Sequence, residues 1–252
     1  MKIMDSFDQA VADIGDGVSL MVFCWDLVGT PCNLIRALYK KGVKNLTVIS
    51  HNFVPAWIGP NVITQEEYTT PYIMADRIKK LITAWPSPAI AGLQSSPLAE
   101  KLKTGEIEIE ITSHGTLAKR IQAGGSGIGG FYTEAGVGTV LEKGKEKKVI
   151  DGREYILETP LQADFGFVKA YKADKYGNLV YNGSERGCNP LIAMASKTTI
   201  AEVEEIVEVG ELDPNQIVTP GIFVDRIVKI PAGGMGTVSY VDELLKKYLR
   251  RK

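Results

Sequence analysis

Histidine and cysteine are scarce in this chain, with two histidines and three cysteines in 252 residues. Cys24, Cys32 and Cys188 are scattered and form no C-x-x-C pair. That excludes a disulfide framework and a cysteine-rich zinc site, and it fits a reducing compartment. An excess of one charge is missing as well. With 29 Lys and Arg against 30 Asp and Glu, mixed throughout, the net charge is −1. The electrostatic case for nucleic acid or an anionic membrane is therefore absent. The longest basic cluster, "KKYLRRK" at the C-terminus, reads as a favourably charged last helical turn. No apolar run reaches roughly 18 residues, and "MKIMDSFDQAVADIGDG" lacks the apolar core of a signal peptide. A soluble, cytoplasmic protein is expected. There is no internal repeat, no metal-ligand spacing and no prosthetic-group motif.

What is present is a globular composition, 44% hydrophobic and 23% charged, on a chain long enough to bury a sizeable core. "VSLMVFCW" (18–25) and "NLTVISHN" (45–52) read as strands, and between them "PCNLIRALYKKG" (31–42) reads as a helix from Pro31 to a Gly42 stop. "MADRIKKLITAW" (74–85) fits helix and strand equally. "SPLAEKLKTG" (96–105) has helical spacing. "EIEIEIT" (106–112) alternates strictly, with isoleucines on one face and glutamates on the other, and is the clearest strand. "GTLAKRIQAGG" (115–125) returns to helical spacing, with Leu117 and Ile121 on one face. Strands separated by helices predict an α/β fold: an open, parallel-rich sheet with helices on both faces. The later segments 154–183 and 198–230 are richer in β-branched residues and turns. The charged run 142–154 reads as a solvated loop or hairpin within one domain spanning 1–252.

Gly125-x-Gly127-x-x-Gly130 has the spacing of a dinucleotide fingerprint. That motif needs a strand before its first glycine and a helix opening at its last. Here a helix precedes it and no helical period follows, so the context excludes that reading. The glycines instead indicate a backbone that turns tightly, or lies close to a ligand or another chain, just after a helix. His114 follows the 106–112 strand and opens the next helix, and His51 ends another strand. Carboxyl strand ends beside helix N-termini collect anionic ligands in open α/β sheets. The two histidines are therefore candidate site residues, against the plainer reading of each as a structural or surface histidine.

Taken together, "GVKNLTVISHN", "GTLAKRIQAGGSGIGGFYTEAGVGT", "FVKAYKADKYGNLVY" (167–181) and "AEVEEIVEVGELDPNQIVTPGIFVDRIV" strongly resemble the α subunit of family I CoA-transferases. The resemblance runs from about Phe7 to Ile230 and is weakest over 53–95. It implies pairing with a β subunit in an αβ or (αβ)₂ assembly, with the active site between the two kinds of chain. It also implies ping-pong transfer of CoA from an acyl-CoA to a small carboxylic acid. A glutamate of the β subunit would attack the thioester, giving a mixed anhydride and then a glutamyl-CoA thioester. Coenzyme A would be substrate, with no other cofactor and no metal.

Three positions depart from the family pattern. Where relatives read like "GGFGLCGIP", this chain reads "FCWDLVGTP" (23–31), which keeps Leu27, Gly29 and Pro31 and has Trp25 in the aromatic place, but puts Phe23, Cys24 and Asp26 where glycines leave bare backbone. The "NNAG"-like segment is His51-Asn52-Phe53-Val54. The glutamine of "PQGT" is His114. Together with the glycine-rich stretch at Gly124, Gly125 and Gly127, these give the expected site. His114 is the catalytic candidate, and Trp25, Asp26, Gly29, His51, Asn52 and the three glycines would bind substrate. Phe23, Trp25, Phe53 and Trp57 would make the pocket aromatic, or else fill core. Asn189 in "SERGCNP" is expected to be structural and Glu134 a loop residue. The altered positions put the usual 3-oxoacid specificity in question. An acyl-CoA hydrolase or lyase of the same fold, with His114 as general base, is the alternative, and a non-catalytic assembly module a third.

Overall fold

The computed structural model describes residues 2–22, 29–52, 76–85 and 97–234. Among them are twelve strands and five α-helices. In chain order these are β1 (Ile3–Met4), α1 (Phe7–Ala10), β2 (Ser19–Val22), α2 (Cys32–Lys41), β3 (Leu46–Asn52), β4 (Ile78–Trp85), α3 (Pro97–Thr104), β5 (Glu108–Ile111) and α4 (His114–Gly125). They continue with β6 (Phe131–Thr133), β7 (Lys147–Ile150), β8 (Arg153–Glu158), β9 (Ala163–Asp174), β10 (Leu179–Val180), α5 (Asn189–Ala195), β11 (Ser196–Val207) and β12 (Arg226–Lys229). The main sheet runs β1-β12-β11-β9-β2-β3-β4-β5, with every neighbouring pair parallel; β10 alone joins antiparallel, against β9. A small antiparallel sheet, β6-β8-β7, contains the charged run read as a hairpin. Its turn is Asp151-Gly152, both at positive φ, a favoured pair for a tight hairpin.

Alternation along each strand sends successive side chains to opposite layers. Leu20, Val22, Val48, Leu81 and Phe167 pack with Leu34, Ile35 and Leu38 of α2. Met21, Ile49, Ile82 and Val168 pack with Leu117 and Ile121 of α4 and Ile192 of α5. Helices thus cover both faces, as the sequence pattern predicts. Within the ambiguous 74–85 segment, Ile78–Trp85 resolves as β4 because it fills the place between β3 and β5. Ile107, just before β5, is buried, whereas Ile109 and Ile111 of this edge strand are exposed.

The chain leaves β2 towards β3, β4 and β5 on one side and later returns to β9, β11 and β12 on the other, so the strand order switches at the β2–β9 pair. Ligands of open α/β sheets bind outside the carboxyl strand ends at such a switch. Two buried devices hold the start of α2 there. Glu202 of β11, fully buried, accepts from the Asn33 and Leu34 backbone N–H groups at 3.0 and 2.9 Å and from Asn33 Nδ2 at 3.1 Å. It caps α2 from another element, supplying the acceptor that Pro31 in the capping position cannot. Burial raises its carboxyl to about 7, against the pull of those donors and of Lys169. Beneath it, Lys169 Nζ lies 2.7 Å from both Glu185 and Glu204 carboxylates. Asn189 Nδ2 donates to the Gly29 and Glu185 carbonyls, and Asn189 Oδ1 accepts from the Lys169 N–H. Asn189 is structural, as expected. Gly29 takes φ +67°, and a Cβ there would stand 2.3 Å from the Glu185 carbonyl oxygen.

Gly124 and Gly125 receive a similar explanation. A Cβ on Gly124 would lie 1.9 Å from the Leu161 carbonyl oxygen, and one on Gly125 would lie 2.7 Å from Met194 Cβ. The close approach inferred from the sequence is therefore to the chain's own backbone and to α5. Gly127, at φ +69° with open space around it, makes the turn. Gly124→Ala is expected to cost about 3 kcal/mol, since the obstructing atom is backbone. Gly115→Ala, in the same helix with nothing within 4 Å, should be neutral. Thermal melting of the two variants checks the contrast.

Candidate active site

Three parallel strands end together. The register pairs Asn52 with Trp85 and Thr83 with Ile111, so the carboxyl ends of β3, β4 and β5 lie side by side. Local hydrogen bonds fix that edge. Thr83 Oγ1 donates to the His51 carbonyl at 3.2 Å and accepts from the Trp85 N–H at 3.3 Å, and the Thr112 N–H reaches the Thr83 carbonyl. After β5 the chain turns directly into α4. Ser113 caps it, accepting from the Thr116 N–H at 3.3 Å, and His114 is its first residue.

The two histidines converge. Their ring centroids are 6.5 Å apart, and the Trp85 ring stands edge-on to His114 at 6.4 Å. His114 Nε2 is 3.0 Å from Asn52 Oδ1. An amide oxygen only accepts, so Nε2 carries the proton and the Asn52 NH₂ group is left as a donor. On the other flank, Cys188 Sγ lies 3.3 Å from His51 Nε2. Burial, then the charge of His114, lowers His51 to about 4, and burial pushes the Cys188 thiol up to about 11. That order is the reverse of what a thiolate–imidazolium pair requires, so the thiol donates to a neutral imidazole and Cys188 is no activated nucleophile. The contacts form a row: Cys188, His51, His114 with Asn52, then Trp85.

The structure therefore brings His51, Asn52 and His114 together from the expected set. Gly29 lies at the entrance to α2, its carbonyl accepting from Asn189, the neighbour of Cys188, and Gly124, Gly125 and Gly127 lie at the far end of α4 from His114. Trp25, Asp26, Phe23, Phe53 and Trp57 fall outside the described residues. Glu134 is a surface residue, 3.4 Å from Arg153. Sequence reading missed two members of the row. Trp85 closes a segment that fits helix and strand alike, and Cys188 reaches His51 across 137 residues. Among the described residues no group of three metal-binding side chains occurs, and no helix is long and apolar enough to cross a membrane.

The profile of the coenzyme A transferase family matches residues 4–230. The chain belongs to the coenzyme A transferase family. It is 41% identical over 238 residues to one subunit of the 3-oxoadipate CoA-transferase of Pseudomonas putida, covering 94% of this chain and 97% of that one. Among solved structures, the glutaconate CoA-transferase of Acidaminococcus fermentans aligns with TM-score 0.73 at 19% identity, over 92% of this chain and 77% of that one. A variant of the decarboxylase AibA/AibB aligns with TM-score 0.71 at 25% identity, over 99% and 94%. The transferase fold is thus shared with a decarboxylase, and the fold alone does not select the reaction. Relatives in the family are named as subunits. In this CoA-transferase family member the described part of the row contains no carboxylate. Glu185 and Glu202, the buried carboxylates on the neighbouring elements, are committed to Lys169 and to α2.

Proposed function

We propose that the chain is the α subunit of a heteromeric CoA-transferase. It would move CoA from an acyl-CoA to a free carboxylic acid within a cytoplasmic αβ or (αβ)₂ assembly, with coenzyme A as substrate and no prosthetic group. The observation that carries this reading is the His114–Asn52 pair at the carboxyl strand ends of a family chain whose row, among the described residues, holds hydrogen-bonding groups and no carboxylate. The glutamate that attacks the thioester belongs to the partner subunit. This chain supplies the wall and the donors. With Oδ1 held by His114, Asn52 offers its NH₂ to the acyl oxygen as charge gathers there. Closure of the row by the partner subunit would protect the anhydride and the glutamyl thioester from water.

A hydrolase or lyase would use the same crevice with His114 as general base, and substitution separates the two. In the transferase reading His114 positions Asn52 through an N–H donor, which glutamine also possesses. His114→Gln is expected to retain transfer within about tenfold, and Asn52→Ala to lose about 10²–10³ in kcat. A general base tolerates no such replacement, because glutamine takes up no proton. The direct test uses the complex with its partner subunit. Acyl-CoA is supplied with and without an acceptor acid, and borohydride is added to reduce any enzyme-bound thioester. Acid-dependent CoA transfer with a reduced glutamyl adduct in the partner chain supports the proposal. Acid-independent CoA release without an adduct overturns it.

A further inference from the structure

At one end of the row, Trp85 is 42% exposed at the close of β4, and Ile111 is 46% exposed at the close of the neighbouring β5. Large apolar side chains left open beside polar groups mark contact surfaces. Two cations on the framing elements are committed elsewhere. Lys80 of β4 bridges Glu108 and Glu110, and Arg120 of α4 binds Glu110 and the Thr159 carbonyl. Among the described residues, the exposed cation nearest in sequence to a member of the row is Arg186, at the opposite end, two residues from Cys188. The connections that leave β2, β3 and β4, residues 23–28, 53–75 and 86–96, contain no lysine or arginine, but do contain Asp26, Glu66 and Glu67.

We infer that Trp85 and Ile111 form the wall for the acyl chain, so that the preferred acid is a monocarboxylic one with an apolar tail rather than a dicarboxylic one. This rests on the crevice being the acyl site of the proposed transferase. A carboxylate at the far end of the acyl group would leave water for a surface of indole and aliphatic carbon. No uncommitted cation of the described strand ends meets it there. An apolar tail instead gains from burial. Trp85 acts as a specificity-determining residue, set by the same strand register that places Asn52.

Butyrate and succinate have the same number of carbons and differ by one carboxylate, which makes them the decisive pair. With the complex and acetyl-CoA as donor, kcat/KM for butyrate is expected to exceed that for succinate at least tenfold. Trp85→Ala should lower the butyrate-to-acetate ratio of kcat/KM, a change that general loss of folding does not produce. Equal or better use of succinate would place a cation in the partner subunit and overturn the inference. Calorimetric binding of butyryl-CoA and succinyl-CoA to the complex gives a readout independent of turnover. If no acid is converted, the proposed function fails, and the binding ratio still decides the charge preference: butyryl-CoA at least tenfold tighter upholds it, and parity or the reverse overturns it.

Discussion

Lys169→Met is expected to destabilise the protein by about 3–5 kcal/mol, the usual consequence of removing one partner from a buried ionic cluster. The Lys169 side chain is wholly buried, with Glu185 and Glu204 each 2.7 Å from its ammonium. Methionine fills much the same volume, so the loss would come from the carboxylates left behind and not from a cavity. Burial already raises the Glu185 carboxyl, and without Lys169 it would rise further. The damage should spread to the site, because the Glu185 carbonyl abuts Gly29 and shares Asn189 with it. Adding Glu185→Gln and Glu204→Gln to Lys169→Met should recover part of the loss, since no unpaired charge then remains. Denaturant midpoints of the single and triple variants measure this. A triple variant less stable than the single one would mean that the carboxylates are not the source.

The second large effect is on pH dependence, where two buried groups oppose each other. His51 is lowered from 6.5 to about 4, so its contribution is present above pH 6.5 and is lost as pH falls through 4. Glu202 is raised from 4.5 to about 7, so its contribution is present below pH 4.5 and is lost as pH rises through 7. Each amounts to roughly 3 kcal/mol at most. Across pH 4.5–6.5 the two slopes have opposite signs, and the wild-type contributions largely cancel. Substitution should unmask them. His51→Asn is expected to lose stability as pH rises over that window, and Glu202→Gln to lose it as pH falls. Unfolding curves at several pH values test this, and parallel profiles for the two variants would refute the assignment.

Legibility from sequence followed how local the deciding physics was. Strict alternation in 106–112 and the Pro31 and Gly42 boundaries of α2 depend on near neighbours and read correctly. The sequence "IKKLITAW" carries two lysines inside an apolar run, and only its parallel partners on both sides make it a strand. Lys169 in "FVKAYKAD" looks like a solvent-facing residue of an alternating strand. Its burial follows from helices and loops covering both sheet faces, which is set by topology. The strand-end placement of His51 and His114 was visible, but their convergence was not, because it requires β4 to lie between β3 and β5. Gly124 and Gly125 announced a close approach without saying to what. Cys188 met His51 only through the return of the chain across the switch point.

The central claim is that this crevice shields an acyl transfer from water, and the fate of oxygen tests it most directly. In the transferase cycle the glutamate gives one oxygen to the released donor acid and is replenished from the acceptor carboxylate, so water contributes none. The measurement is mass spectrometry of the released donor acid after several turnovers of the complex in ¹⁸O-water with unlabelled acyl-CoA and acceptor acid. The account predicts a released acid with no ¹⁸O. One ¹⁸O per molecule released would show that water attacks the acyl group, and that the site is a hydrolase.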